Sequence, residues 1–351
     1  MSNPPIKDAV GPRQQVWKVV VTAVCRLIAC MVLMVGSGLF PPVLSGQETH
    51  TGPSSPLPLL VKARRGDTPA GIARRYLNDA SRGWTILEYN GIEALSGGEA
   101  VMVPVAPFRP GGLNPDGYQT VPVLAYSDIG ASLQQTQQVF RSAFNRQMRW
   151  LKTEGFTAIT PTQLVDFMEF SGQLPHRSVL ITADTESQTF FDLGVPILKA
   201  LGLTATLFVA TGKVGVEGAM TWDQIKQLNE DGFTIACRGQ SGRALTDRIN
   251  GQTFKAYFES VESELRLARQ AIETHLAAPC LFLAYPHGST DELVSAMAAK
   301  FGFSGAFIRS SGDNPFFANR FGIHRIAIDS RMDPELLGRM LTTLIVTDLK
   351  P

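Results

Sequence analysis

The sequence predicts an α/β protein: a parallel sheet whose strands alternate with helices, preceded by a small β-α-α-β unit. Three observations carry this. From Thr120 onward, short apolar runs alternate with amphipathic segments to the end of the chain. Seven or so such units more naturally close into a barrel than stay open. Before them, residues 58–105 read strand, helix, helix, strand, flanked on both sides by Pro- and Gly-rich stretches.

Composition sets the bounds. The 351 residues suffice for more than one domain, and 44% hydrophobic against 18% charged content supplies a sizeable core. A formal net charge of +1 gives no case for a nucleic-acid partner. Of the four cysteines, Cys25 and Cys30 lie in an apolar N-terminal region. Cys237 and Cys280 have no CxxC or Cys/His neighbour, so they read as two separately buried thiols, with a single disulfide as the other option.

Taken in chain order, residues 1–46 come first. Lys7, Arg13, Lys18 and Arg26 precede the apolar run Leu27 to Phe40, and the small residues Ser45 and Gly46 follow it. That is the pattern of an export signal, since a spanning helix needs about 20 apolar residues. An uncleaved anchor over residues 16–40 is the alternative, and the only membrane contact expected. A lipoprotein box at Cys30 is set aside, because the apolar run continues past the cysteine. Either way the remainder is exported, to the periplasm or cell envelope.

Residues 47–57 read as a polar linker. In 58–105, Leu59 to Lys62 read as a strand. Asp67 or Thr68 caps a helix over Pro69 to Leu77, with Pro69 near its first position. A second helix ends at Asn90-Gly91, and a second strand runs to Pro104. The order of Gly66-Asp67-Thr68, Ile72-Ala73, Tyr76, Asn90, Gly97 and Val101 to Pro104 resembles a LysM domain. That resemblance implies binding of N-acetylglucosamine-containing glycans such as peptidoglycan or chitin. It places Asp67, Thr68, Pro69, Asn90, Gly91 and Ile92 along the groove, although Pro69 stands where the family usually has Leu. Asp67 and Asn90 also suit plain capping and turning, and both roles can hold.

Residues 106–118 read as a second linker, and 119–351 as the main domain. Its strands are expected at "TVPVLAYSDI", "FTAIT", "SVLIT", "ATLFVA", "FTIAC", "CLFLAYP" and "SGAFIR". Its helices are expected at "QQVFRSAFNRQMRWLKTEG", "PTQLVDFMEF", "LGVPILKALG", "TWDQIKQLNEDG", "FKAYFESVESELRLARQAIETHL" and "TDELVSAMAAKFG". The first of these carries Val139, Phe140, Phe144, Met148 and Leu151 at three- and four-residue steps and stops at Gly155.

Residues from about Pro122 to Leu344 resemble a NodB-type polysaccharide deacetylase (carbohydrate esterase family four), similar to the branch acting on poly-N-acetylglucosamine. The frame includes "VPVLAYSDI", "LPHRSVLIT", "VPILKALGLTATLFVATGKVG", "MTWDQIKQLNEDGFTIAC", "FLAYPHG" and "GDNPFFANRFGIHRIAID". The fold implied is a deformed (β/α) barrel with its site at the carboxyl ends of the strands. The chemistry implied is amide hydrolysis assisted by a divalent metal such as zinc, held by one Asp and two His.

The ligand residues depart from that pattern. The family's Thr-Phe-Asp-Asp-Gly reads Thr182-Ala183-Asp184-Thr185-Glu186, so the base falls on Asp184 and the ligand Asp on Thr185. The two ligand histidines fall on Arg238 and Gly242, and the middle residue of an early Tyr-His-Asp falls on Ser127. No resident metal or other cofactor is therefore expected. Thr is a poor zinc ligand, Gly offers no side chain, and Arg repels a cation. His287 keeps the backbone oxyanion position, His324 is a candidate acid, and Tyr285 a candidate sugar platform.

The expectation is a degenerate, non-catalytic deacetylase domain that binds an envelope glycan, with envelope proteins as further candidate partners. The alternative is an active metal-dependent hydrolase working through a rearranged site, with Glu186, His287 and Asp128 as substitute groups. A further expectation concerns charge. An unpaired buried carboxylate is costly, so Arg238 should pair with Asp184, Glu186 or both.

Overall fold

A computed structural model describes residues 58–105, 110–114, 117–130, 139–248 and 250–347. The export segment 1–46, the linker 47–57 and parts of the linker 106–118 lie outside these. Among the described residues no helix is long and apolar enough to cross a membrane.

Residues 58–105 have the expected β-α-α-β order. Strand β1 (Leu59–Lys62) pairs antiparallel with β2 (Ala100–Val103), Leu59 opposite Val103. Between them, α1 (Pro69–Leu77) starts where Thr68 Oγ1 accepts from Gly71 N at 3.0 Å. Helix α2 (Gly83–Asn90) stops at Gly91, whose φ of 62° is the left-handed conformation that ends helices. Val61, Ile72, Ala73, Ile86, Val101 and Val103 fill the space between sheet and helices.

The helices cross where Gly83 meets α1: a Cβ there would lie 2.6 Å from Ala70 N. Backbone cannot yield as a side-chain tip can. Gly83→Ala is therefore expected to destabilise this unit by about 1–3 kcal/mol. Thermal melting of a 58–105 fragment, followed by the fluorescence of Trp84, measures it.

In the main domain a small sheet comes first, with β3 (Leu113–Asn114) and β4 (Gly117–Gln119) antiparallel. Both fall in or at the edge of the stretch expected as linker. They are ordered because β15 (Leu344–Val346) pairs with β4 from the far end of the chain. The strands β5 (Val123–Tyr126), β6 (Ile129–Gly130), β7 (Val139–Phe140) and β8 (Thr157–Ala158) follow. After them come β9 (Ser178–Asp184), β10 (Thr206–Val209), β11 (Thr234–Cys237), β12 (Phe282–Ala284), β13 (Gly305–Phe307) and β14 (Ile326–Ala327).

The helices between them are α3 (Arg141–Thr153), α4 (Pro161–Met168), α5 (Val195–Ala200), α6 (Trp222–Glu230) and α7 (Phe254–Leu276). Two more, α8 (Glu292–Lys300) and α9 (Pro334–Met340), complete the chain, and the last was not expected. Helix α3 starts four residues later than its periodicity suggests. Val139 N donates to Asp128 O at 2.9 Å, which draws Val139 and Phe140 into a bridge with β6.

The main sheet is parallel, in the order β13-β12-β11-β10-β9-β5-β14, with β8 on the start of β9. It curls so far that Ile323, just ahead of β14, bridges Phe307 of β13. In place of a closed barrel the chain forms a curled parallel half-barrel, whose edges meet at one bridge rather than along a full ladder. Period-two alternation divides each strand between two cores. On β9, Val179, Ile181 and Ala183 face the helices, while Leu180 joins Val123, Phe208, Ala236, Phe282 and Phe307 inside the curl. The same alternation turns Thr182 and Asp184 inward, and Asp184 is the last residue of its strand. Cys237 and Cys280 are buried free thiols. Burial pushes the Cys237 thiol up, and the neighbouring Cys280 raises it further.

Candidate functional site

A cavity of about 290 Å³ opens at the carboxyl ends of the strands. Asp184, Thr185, Glu186, Asp128, Arg238 and Lys213 contribute to its lining. Strand order explains the convergence: Asp184 ends β9, and Arg238 immediately follows β11, two strands away.

Asp184 is held from within the curl. Both of its oxygens accept from the Arg325 guanidinium, Nη1 to Oδ1 at 2.5 Å and Nη2 to Oδ2 at 3.0 Å. The Arg325 side chain is 0% exposed and that of Asp184 only 7%, so this is a buried bidentate pair. Arg325 Nε donates to Ile308 O at 3.2 Å, and its guanidinium carbon lies 5.2 Å from the centre of the Phe208 ring. Arg325 as the partner of Asp184 was not foreseen.

Arg238 meets the other acid. Its Nη2 donates to Glu186 Oε2 at 3.0 Å, and Lys213 Nζ approaches Glu186 Oε1 at 4.0 Å. The expected neutralisation of Glu186 by Arg238 is present. Of the two acids offered to Arg238, only Glu186 is taken, and Arg325 holds Asp184 instead. Arg238 Nε is buried without a hydrogen-bond partner.

Thr185 and Asp128 form the third side. Thr185 Oγ1 donates to Asp128 Oδ1 at 3.2 Å, Thr189 Oγ1 approaches the same oxygen at 3.4 Å, and Ile129 N donates to it at 3.2 Å. Burial pushes the Asp128 carboxyl above the usual carboxylate range, and the hydroxyl donors only partly oppose this. Between its unfolded value, about 3.9, and the raised native value, the folded chain keeps a proton that the unfolded chain has lost. Stability therefore falls as pH rises through that window, and the penalty persists at neutral pH. The charges facing Asp128 across the cavity are Asp184, Glu186, Glu217, Lys213 and Arg238. Asp128→Asn is expected to raise the melting temperature at pH 7 and to flatten this part of the pH profile.

The loop after Arg238 is organised by Glu264, buried on α7. Its Oε2 accepts from Gln240 N and Ser241 N, both at 2.9 Å, and its Oε1 from Ser241 Oγ at 2.7 Å. Arg243 Nε stands 3.4 Å from the same carboxylate. Gly242 closes this loop with a φ of 77°, and a Cβ there would lie 3.6 Å from Lys213 Nζ.

The remaining sequence candidates fall elsewhere. Tyr285 is fully buried and donates its hydroxyl to Phe321 O at 3.0 Å, so the expectation of a sugar platform is corrected: its ring belongs to the core. His287 sits exposed in the turn after β12 with a φ of 58° and does not line the cavity. Nor does His324, whose Nδ1 lies 3.2 Å from Ser310 O and whose backbone N donates to the buried Asn314. In the small unit, Asp67 is bridged by Arg75 at 2.9 Å and accepts from Arg64 N at 2.8 Å, which holds its carboxyl below the usual range. Asn90 ties α2 to β2: Nδ2 donates to Ile86 O and Met102 O, and Oδ1 accepts from Met102 N at 2.8 Å. Thr68 caps, Pro69 opens α1, and Gly91 ends α2. Ile92 is packed against the small core.

A divalent cation does not fit the donors present. Among the described residues no three His, Cys, Asp or Glu side chains group as a ligand set. Two of the cavity acids already answer to protein cations, Asp184 to Arg325 and Glu186 to Arg238. A third positive charge would face Arg238 and Lys213 directly.

Residues 171–306 match the model of the family described as polysaccharide deacetylase. Over 224 residues the chain is 21% identical to the putative polysaccharide deacetylase YxkH of Bacillus subtilis, covering 64% of this chain and 77% of that protein. It is 25% identical over 176 residues to the poly-beta-1,6-N-acetyl-D-glucosamine N-deacetylase of Staphylococcus aureus, spanning 47% of this chain and 60% of that protein. Among solved structures, the Streptococcus pyogenes deacetylase PplD superposes with a TM-score of 0.59 at 20% identity, covering 64% of this chain and 98% of that one. The main domain thus has the polysaccharide deacetylase fold, an α/β architecture around a curled parallel sheet.

Proposed function

We propose that this chain engages an N-acetylglucosamine-containing polymer of the cell envelope and that its deacetylase-type domain does so without hydrolysing it. The observation that carries this reading is the ion pair between Glu186 and Arg238, with Arg238 at a position where the family resemblance calls for a metal-ligating histidine. A fixed guanidinium in place of a ligand removes the means of activating water, while the cavity keeps its polar walls. The similarity to deacetylases of poly-N-acetylglucosamine supports the choice of polymer.

Residues 58–105 enter the reading as a LysM module. Their β-α-α-β order and antiparallel strand pairing support it. Asp67, Thr68, Asn90 and Gly91 carry structural hydrogen bonds or caps, so substituting them perturbs the fold together with any groove. Pro69 and Ile92 are the more selective probes. The domain boundaries expected from sequence, export to the envelope, the vestigial base position of Asp184, the backbone oxyanion position of His287 and the acid candidate His324 belong to the same proposal.

Two assays on the full chain test it together. Sedimentation with insoluble peptidoglycan or chitin at moderate salt should carry the protein down. Acetate release from poly-N-acetylglucosamine and peptidoglycan fragments, with zinc, cobalt or nickel added, should stay at background. Protein left in the supernatant contradicts glycan engagement. Acetate release abolished by Asp184→Asn establishes the alternative, a hydrolase with a rearranged site.

A further inference from the structure

A second concave surface lies on the outside of the barrel, away from the charged cavity. It is a groove of about 950 Å³ between α3 and the segment running through α5. Its two walls differ in kind. On α3, Arg141, Asn145 and Arg149 recur every four residues, which places them in one row. Facing them, Leu193, Ile197 and Leu201 recur at the same step. Leu193 lies in a π-helical turn, Phe190–Gly194, that precedes α5. Such turns are rare and cluster at functional positions.

The charge on the polar wall is one-sided. Helix α3, "RSAFNRQMRWLKT", carries Arg141, Arg146, Arg149 and Lys152 and no acid. Arg141 and Arg149 are exposed, and neither has an acidic partner among the described residues. Arg149 Nε donates to Asn145 Oδ1 at 3.2 Å, which steadies the side chain while its Nη donors remain for an outside acceptor. The cation of the opposite helix, Lys199, is bound to Asp231.

We propose that this groove docks an acidic amphipathic helix of a partner protein. Parallel rows of side chains at four-residue spacing are the relief that receives a third helix, ridge into groove. Arg141 and Arg149 stand about 12 Å apart along α3. A partner helix with acids seven or eight residues apart matches that span, and its apolar residues three and four positions on rest against the half-buried Leu193 and Leu201, on either side of the buried Ile197. A glycan fits less well, because the wall of Leu193, Ile197 and Leu201 is aliphatic and the ring in the groove lining, Phe140, is half-buried and packed against the core. A membrane fits less well, because the surface is concave and its cations lie along one wall only.

The test uses the full chain and two synthetic amphipathic helical peptides. Both carry Leu at positions i, i+3, i+4 and i+7. One is flanked by Glu, the other by Lys at the same places. In fluorescence anisotropy the Glu peptide should bind and the Lys peptide should not. Arg141→Glu with Arg149→Glu should weaken the Glu peptide about tenfold or more and should create binding of the Lys peptide. Such an exchange of preference cannot come from misfolding, and two exposed side chains should leave the melting temperature unchanged. No binding of the Glu peptide, or equal binding by parent and double variant, overturns the proposal. So does co-sedimentation with phosphatidylglycerol vesicles that the double variant loses while the peptides stay unbound.

Discussion

Arg325→Met is expected to destabilise the main domain by about 3–5 kcal/mol, because it strands Asp184 as a buried, uncompensated carboxylate. Thr182 Oγ1 and Ile308 O lose a donor as well. For a domain of this size the loss lowers the melting temperature by roughly ten degrees. The cost belongs to breaking the pair rather than to lacking it. Adding Asp184→Asn to Arg325→Met should therefore recover much of the stability, as replacing both members of a buried pair often does. Thermal and urea unfolding of the two single variants and the double variant measure the coupling. Additive single effects would show that Arg325 and Asp184 do not depend on one another.

Glu264→Ala carries the second large effect, about 3 kcal/mol, since hydrogen bonds to a charged acceptor contribute roughly 1.5–3 kcal/mol each and are not additive. The consequence for the cavity matters more than the total. Glu264 sets the path of residues 239–243, and that path begins at Arg238. Without the carboxylate, the amides of Gln240 and Ser241 have no acceptor and the loop loosens at the point where Arg238 leaves β11. Hydrogen exchange at these two amides should accelerate strongly, with the amides of β9 unchanged. Unaltered protection at Gln240 and Ser241 would contradict the assignment. Glu264→Gln separates charge from shape: its carbonyl can still accept from the two backbone N–H groups, but its amide donor then faces Ser241 Oγ and the Arg243 guanidinium, so it should fall between parent and alanine.

The sequence made the architecture legible because the strands are buried on both faces and the helices on one. Apolar runs such as Val179 to Ile181 therefore stood apart from amphipathic stretches such as Phe254 to Leu276. The β3-β4-β15 sheet escaped notice, since two- and three-residue strands from opposite ends of the chain leave no periodicity to read.

The charged cavity was half legible. Arg238 and Glu186 could be paired because each replaced a residue of different chemistry at a marked place. Arg325 could not be found in this way, since its partner lies 141 positions earlier. Its signal was a lone cation in the apolar stretch around β14, between Ile323 and Ile328, where a buried charge demands a counter-charge. His324 beside it reads more readily as a functional group, yet its neighbours Asn314 and Ser310 are structural. Glu264 left a similar mark, an acid on the buried face of α7 between Val261, Leu265 and Ala268. Tyr285 was misassigned because a tyrosine at the end of a strand reads equally well as platform or as core; the acceptor at Phe321 O decided it.

The central claim is that protein cations, Arg325 and Arg238, stand where a deacetylase of this fold would need a metal and its ligands. The most direct measurement is elemental analysis of the full chain after incubation with zinc and exhaustive dialysis. No stoichiometric metal is expected, in the parent protein and in Asp184→Asn alike. One tightly held zinc per chain, lost on Asp184→Asn, would contradict it.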